Sequence, residues 1–414
     1  MKGAQRLALE GGPKVRKAAW PMPGRRFGRE ELRQLKEALE QNTLFYKHGK
    51  KTALLCEKMS RLVGAGNVVP CSSGSAAIHG AVKACGVGPA DEVITAPITD
   101  AGTLLGIVYE GAIPVFADVD TDSFNMTPAS VEARITPRTR AVIVVHLMGN
   151  PADVEGIVAV CRGKGIKVIE DCAQAWGAKM NGRPLGTFGD CGCFSLNDFK
   201  HISCGEGGLI VTDDGDLAWR AALSIDKCYD RVRNTRGMEF CAPNYRITEL
   251  QSAVAIAQLD RLKGLVTKRN ALGARLGKGL RKAPGIIPCK VLPGAWPSWW
   301  FYMFRIDTGV LGVDADTFIK AVAAEGVPLE RYCEPVHYSY KYLVNQSAFN
   351  HSKWPFSSAK AVPPYGRGYC PSAEMAYETG VRFKLNHWLG AREIDDTVKA
   401  VSKVAACFKS RKSG

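Results

Sequence analysis

Four short apolar runs alternate with helix-like segments through the first half of the chain, and this alternation constrains the fold more than any other feature. The runs are DEVITAP at 91–97, IPVFADVD at 113–120, RAVIVVHLMG at 140–149 and KVIEDC at 167–172. Each is apolar at nearly every position, without the in–out alternation of a strand wetted on one face. Strands of that kind, separated by helices such as GTLLGIVYE and DVEGIVAVCRGKG, form a mainly parallel sheet covered by helices on both faces. Two helical patterns precede them, at 28–43 and 52–63. A long helical pattern, ITELQSAVAIAQLDRLKGLVTKRNALGARLGKGL, follows at 247–280. Beyond Pro284 the character changes: strand-like pieces at 299–307, a helix, a Tyr/Pro/Ser-rich stretch at 332–371 and a closing helix. The pattern divides the 414 residues into a large α/β domain, 1–265, and a smaller α+β domain, 266–414.

Composition narrows the function classes. A 46% hydrophobic share with 23% charged residues is that of a globular protein, and no apolar run is long enough to span a bilayer. The N-terminus has no apolar h-region, so a cytoplasmic protein is expected. The 14 cysteines are scattered without a disulfide framework, and the C-x-C pair Cys191 and Cys193 has no second cluster at zinc spacing, so no metal is expected. The formal charge of +15 is dispersed and unaccompanied by any nucleic-acid-binding motif, which fits attraction of small anions better than a nucleic-acid partner.

Ligands of open parallel sheets sit at the carboxyl ends of the strands, and three features fall there. The turn CSSGS, 71–75, leads from a strand into a helix; its small residues and free N–H groups suit a phosphate, or the turn is a plain helix cap. Asp171 ends the strand KVIED, where a carboxylate is costly unless a cation or hydrogen bonds meet it. Lys200 follows the strand CGCFSL within CFSLNDFKHISCGEGGLIVTDD. Alone it reads as a loop lysine; partly desolvated, it would be a nucleophilic amine. Together, a phosphate cradle, a carboxylate and an amine are what pyridoxal phosphate requires.

At these residues the chain resembles the DegT/DnrJ/EryC1/StrS family of pyridoxal-phosphate sugar and cyclitol aminotransferases. The resemblance begins at LALEGGPKVRKAAWP. It continues through GAIPVFADVD, VHLMGNPADVEGI, IEDCAQAWGAKMNGRPLGTFGDCGCFS, FKHISCGEGGLIVTDD and APNYRITELQSAVAIAQLDRL, and weakens after about residue 270. It implies fold type I, a large domain with a mostly parallel seven-stranded sheet between helices plus a smaller C-terminal α+β domain. It also implies pyridoxal 5′-phosphate as cofactor, with Lys200 as the Schiff-base lysine and Asp171 facing the pyridine nitrogen. Gln174 matches a position contacting the ring, and Gly74, Ser75 and Ser195 match phosphate ligands. Asn244 matches an asparagine that reaches the phosphate of a neighbouring subunit, which implies a homodimer with shared active sites.

The implied activity moves an amino group from glutamate or glutamine to a nucleotide-linked keto-sugar or a cyclitol ketone; the alternative is a non-catalytic sensor that keeps the fold and cofactor. Dehydratase relatives carry histidine at the lysine position, and the presence of Lys200 favours amino transfer. The donor carboxylate needs a cation or backbone donors, for which Arg246 and Arg331 are candidates. Trp296, Trp299, Trp300 and Tyr302 either line a sugar site or pack a strand. In one respect the chain departs from the family: Asp100 of APITDAGT stands where relatives place an aromatic residue over the cofactor ring.

Overall fold

The computed structural model describes residues 6–235 and 238–412. Among them, seven strands form the main sheet: β1 (Asn67–Cys71), β2 (Glu92–Thr95), β3 (Ile113–Phe116), β4 (Thr139–Val145), β5 (Lys167–Asp171), β6 (Cys191–Ser195) and β7 (Gly208–Thr212). The spatial order is β1-β7-β6-β5-β4-β2-β3. β5 pairs parallel with β4 and β6, and β2 parallel with β4 and β3. Only β7 runs against its neighbours, β6 and β1. The mostly parallel α/β sheet expected from the apolar runs is therefore present. Its strands are buried nearly throughout: six of the seven residues of β4 (TRAVIVV) are enclosed, as β-branched side chains covered on both faces require.

Helices cover the faces. They include α1 (Arg29–Glu40), α2 (Lys51–Val63), α3 (Gly74–Ala84), α4 (Ala101–Tyr109), α5 (Val154–Cys161) and α6 (Gly215–Ile225). Helix α3 starts at Ser73, whose hydroxyl accepts from Ala76 N–H, and α4 at Asp100, whose carboxylate accepts from Gly102 N–H. Both caps lie at the strand ends, so two helix N-termini open onto the same edge of the sheet.

The long helical pattern folds as one helix, α7 (Glu249–Leu280), opened by a capping box between Thr248 and Gln251. It passes without interruption through residue 265, the boundary read from the sequence. Beyond it, β8 (Ile286–Pro288), β9 (Tyr302–Ile306) and β10 (Gly380–Phe383) form an antiparallel sheet with β9 in the centre. Helices α8 (Ala315–Ala324) and α9 (Ala391–Lys412) accompany this sheet. The N-terminal segment packs against this region as well. Ala8 and Val15 N–H donate to the buried Glu325 carboxylate, and Arg16 pairs with Glu393 and Asp396 of α9. Among the described residues no helix is long and apolar enough to cross a membrane, and the 14 cysteines are free.

Candidate active site

The carboxyl ends of β1, β5 and β6 face a cavity of roughly 710 Å³ that lies between the main sheet, α7 and the segment 382–388. Six of the seven residues singled out from the sequence line it: Gly74, Ser75, Asp171, Gln174, Ser195 and Lys200. Asn244 does not. It is exposed, its backbone bridges to Asp226, and its side-chain oxygen accepts from Arg246 N–H at 3.4 Å.

At the α3 end the backbone is packed as closely as atoms permit. A Cβ on Gly74 would lie 2.6 Å from Ser195 Cβ, and one on Gly208 would lie 2.1 Å from the Ser73 carbonyl oxygen. Gly208 pairs with both Cys71 and Ser195, so the glycine corner after Lys200 is what lets the α3 turn sit directly over β6 and β7. The first-turn N–H groups of Gly74 and Ser75 have no helical acceptor. Ser75 packs against α4, since a Cβ on Gly102 would come within 2.5 Å of its Oγ. Open N–H groups, hydroxyls and two helix N-termini make this end a seat for an anion.

Asp171 closes β5 and is buried. Its Oδ2 accepts from Thr103 Oγ1 at 2.8 Å and its Oδ1 from Ala173 N–H at 3.0 Å. No lysine, arginine or histidine among the described residues pairs with it directly, and burial pushes its carboxyl above the usual range against those two hydrogen bonds and the more distant Lys200 charge. Glu170, one residue earlier, points to the other face. It accepts from Gly186, Phe188 and Gly189 N–H and meets His146 Nε2 at 3.2 Å. With Cys172, these two side chains form a buried cluster. His146 Nδ1 also accepts from Ala152 N–H, so the cluster's polar atoms are spent on holding the loop at 186–189.

Lys200 sits on a turn, its N–H donating to Asn197 O at 3.0 Å. The Arg26 guanidinium bridges the carbonyls of Asp198 and Lys200 and fixes the turn from outside. Burial lowers the pKa of the Lys200 amine, while Asp171, Asp100 and Glu206 oppose the shift. Its Nζ lies 4.0 Å from the centre of the Trp300 ring. Trp300 is itself pinned: its N–H donates to Met148 O at 2.8 Å and its indole N–H to Phe199 O at 2.6 Å. Gln174 spans the same region, accepting from Met148 N–H at 2.7 Å and donating to Tyr332 Oη at 3.2 Å.

Of the four aromatic residues considered from the sequence, only Trp300 lines the cavity. Trp299 and Tyr302 are core residues, and Trp296 belongs to a short strand paired with Lys179. Asp100 lines the cavity while capping α4, and aromatic surface comes instead from Phe199, Trp300, Phe301 and Trp388. The two arginines considered for the donor are engaged elsewhere. Arg246 pairs with Asp226 at 2.6 Å; Arg331 holds Asp316 and the carbonyls of Tyr377, Glu378 and Gly380. Besides Lys200, the cations that line the cavity are Arg269, Arg382 and Lys384, from beyond the region where the sequence motifs are dense. Thr103 was also missed; a threonine one turn into a helix carries no sequence signal that it will face a strand end.

These residues fit pyridoxal phosphate. The buried Asp171 carboxylate lacks a cation that a protonated ring nitrogen would supply, and the glycine-lined seat offers open N–H groups to a phosphate. A desolvated amine faces the same space.

Comparison with known proteins identifies relatives of this chain. The family model described as the DegT/DnrJ/EryC1/StrS aminotransferase family matches residues 26–367. The spore coat polysaccharide biosynthesis protein SpsC of Bacillus subtilis is 31% identical over 388 residues, covering 91% of this chain and 95% of that protein. A putative L-glutamine:3-amino-2,3-dideoxy-scyllo-inosose aminotransferase of Micromonospora echinospora is 35% identical over 345 residues, covering 80% and 81%. Among solved structures, an aminotransferase from Psychrobacter cryohalolentis superposes with a TM-score of 0.81 at 26% identity, covering 94% of this chain and 99% of that one. DesI, solved in the presence of its TDP-sugar product, superposes at 0.80 with 25% identity, covering 99% and 98%.

Proposed function

The chain belongs to the DegT/DnrJ/EryC1/StrS aminotransferase family, and from that premise we propose that it moves an amino group from glutamate or glutamine to a nucleotide-linked keto-sugar or a cyclitol ketone, with pyridoxal 5′-phosphate seated in the cavity. The observation that carries this reading is the convergence of the Lys200 amine and the cation-free Asp171 carboxylate on one cavity beside the open N-terminus of α3. When bound, the cofactor supplies an aldehyde that exchanges amines and a ring that accepts electron density from the adjacent carbon.

The chain's residues perform the rest. Gly74 and Ser75 N–H groups and the Ser75 and Ser195 hydroxyls would hold the phosphate, and Asp171 would keep a proton on the ring nitrogen. Gln174, fixed by Met148 and Tyr332, orients the ring edge. Lys200, its charged form disfavoured by burial, would be the amine that holds the cofactor's aldehyde. Once displaced by the donor, its Nζ would be the base that takes the proton from the donor carbon bearing nitrogen. The acceptor ketone is aminated by the same residues acting in reverse order, so donor and acceptor use one cavity in turn. One relative is described as a putative L-glutamine:3-amino-2,3-dideoxy-scyllo-inosose aminotransferase and DesI was solved with its TDP-sugar product, which supports both acceptor classes and favours glutamine as the donor.

The proposal includes a homodimer in which Asn244, exposed and outside its own chain's cavity, reaches the partner's phosphate seat, and a cytoplasmic location. No observation favours the non-catalytic alternative. The test is amino transfer by the purified, cofactor-supplemented protein from glutamine or glutamate to a panel of inososes and nucleotide-linked keto-sugars, with the amine product identified by mass spectrometry. A donor-dependent amine product is expected. A protein that binds cofactor yet aminates no ketone with any donor would overturn the reading.

A further inference from the structure

Arg269 is a strongly buried cation of the cavity wall that has no carboxylate counter-ion among the described residues. It is 5% exposed, and no carboxylate among the described residues comes within ion-pairing distance. Its Nη1 donates to the carbonyls of Trp299, Trp300 and Leu385 at 2.9–3.0 Å, while its Nε is enclosed without a partner. Neutral carbonyls satisfy some N–H groups but leave the net charge in place, and an uncompensated buried cation is costly.

Its surroundings do not offset that charge. Arg382 and Lys384, on the same wall, share the single carboxylate of Glu330. Three cations thus face one anion. Two further groups nearby, His201 and His387, are held neutral by burial and the neighbouring Arg269, and each has an unpartnered Nδ1. The cavity is also lined by Asp100, Asp171 and Glu206, the carboxylates whose charges act on Lys200. The cavity is therefore polarised, with Lys200 on its acidic side and Arg269 on its basic side. The two sides are linked through Trp300, whose ring faces the Lys200 amine and whose carbonyl is held by Arg269.

We propose that Arg269, with Lys384 at its mouth, forms an anion subsite that takes a carboxylate of the amino donor while the donor's nitrogen lies toward Lys200. A planar guanidinium with open N–H groups in a water-poor wall is suited to a carboxylate, and the compact ammonium of Lys384 adds charge without demanding geometry. This assignment rests on the aminotransferase reading for the identity of the anion. The same chemistry would also hold a phosphate of a nucleotide-linked acceptor, and the experiment separates the two.

The test is calorimetric titration of the full-length, cofactor-supplemented protein with glutarate, a dicarboxylate that has no amine to transfer, and separately with UDP. Glutarate is expected to bind saturably, and Arg269→Lys and Lys384→Ala are each expected to weaken it by roughly tenfold, with UDP changed far less. Lys384 is exposed, so Lys384→Ala keeps the test valid if Arg269→Lys loosens the loops that it ties together. Glutarate binding that is absent, or unchanged in both variants, overturns the proposal. UDP binding that depends on both residues, without glutarate binding, also overturns it and assigns the subsite to the acceptor's phosphate. Because no turnover is measured, a protein that binds glutarate through these residues but transfers no amine would sustain the subsite while refuting the proposed reaction.

Discussion

Replacing Asp171 by asparagine separates what this residue does for the fold from what it does for the chemistry. In the cofactor-free protein the carboxylate is buried, with Thr103 Oγ1 at 2.8 Å and Ala173 N–H at 3.0 Å as its hydrogen-bond donors and no cation paired to it. Asparagine can accept from Ala173 N–H through Oδ1 and donate to Thr103 Oγ1. That hydroxyl can in turn point to Thr99 Oγ1, 2.7 Å away. At worst one hydrogen bond is lost, about 0.5–1.5 kcal/mol, against relief of about 1–3 kcal/mol for a buried charged group left uncompensated. A net gain of roughly 1 kcal/mol is expected for Asp171→Asn near pH 8.

The pH dependence gives the sign independently. The folded-state pKa of Asp171 is raised, so the folded chain holds its proton to higher pH than the unfolded chain. Wild-type stability therefore falls as pH rises through the raised value, and the penalty vanishes below the unfolded value, where both states are protonated. The advantage of the variant should be present at pH 8 and disappear near pH 4. With cofactor bound the order should reverse, because the ring nitrogen's proton then compensates the wild-type charge. Urea unfolding of both proteins, with and without cofactor, reads all of these values. A variant less stable than wild type at pH 8 without cofactor, or a difference insensitive to pH, would refute the reasoning.

Three further outcomes follow from the same geometry. Gly74→Ala places a Cβ 2.6 Å from Ser195 and should cost about 1–3 kcal/mol by overpacking and weaken cofactor binding, whereas Gly88→Ala, with nothing within 4 Å, should do neither; equal unfolding midpoints for the two would contradict this. Asp100→Asn keeps a good helix cap but removes a charge that raises the Lys200 pKa, so the pH midpoint for reductive methylation of Lys200 in the cofactor-free protein should move down, and an upward shift would be decisive against it. Mixed dimers of Lys200→Ala and Asn244→Ala chains should regain transferase activity that neither parent has, since one of the two sites then holds both native residues; mixtures as inactive as the parents would show that Asn244 does not act across a subunit boundary.

Much of the main sheet was legible because its runs carry their burial in the sequence: a strand such as TRAVIVV, enclosed on both faces, has few other places to go. The strand-end residues were legible for a related reason, since Asp171, Ser195 and Lys200 interrupt apolar runs at points where a parallel sheet puts its ligand edge. The boundary at 265 was drawn where composition changes, but a helix obeys its own periodicity, and α7 runs through that point. The cationic wall could not be read. Arg269 lies in a helix rich in lysine and arginine, and only the arrival of the Trp299, Trp300 and Leu385 carbonyls, 30 or more residues away in sequence, distinguishes it from an exposed neighbour. Arg331 has the opposite history: it reads as a free cation and is consumed by Asp316 and three carbonyls. The aromatic run at 296–302 divides the same way, because strand register alone decides which ring faces the cavity.

The central claim is that Lys200, and no other amine, carries the cofactor. Borohydride reduction of the cofactor-supplemented protein, followed by proteolysis and mass spectrometry, tests it directly. The account predicts a phosphopyridoxyl group on the peptide containing Lys200 and none in the Lys200→Ala protein. A reduced adduct on a different lysine, or no adduct at saturating cofactor, would contradict it.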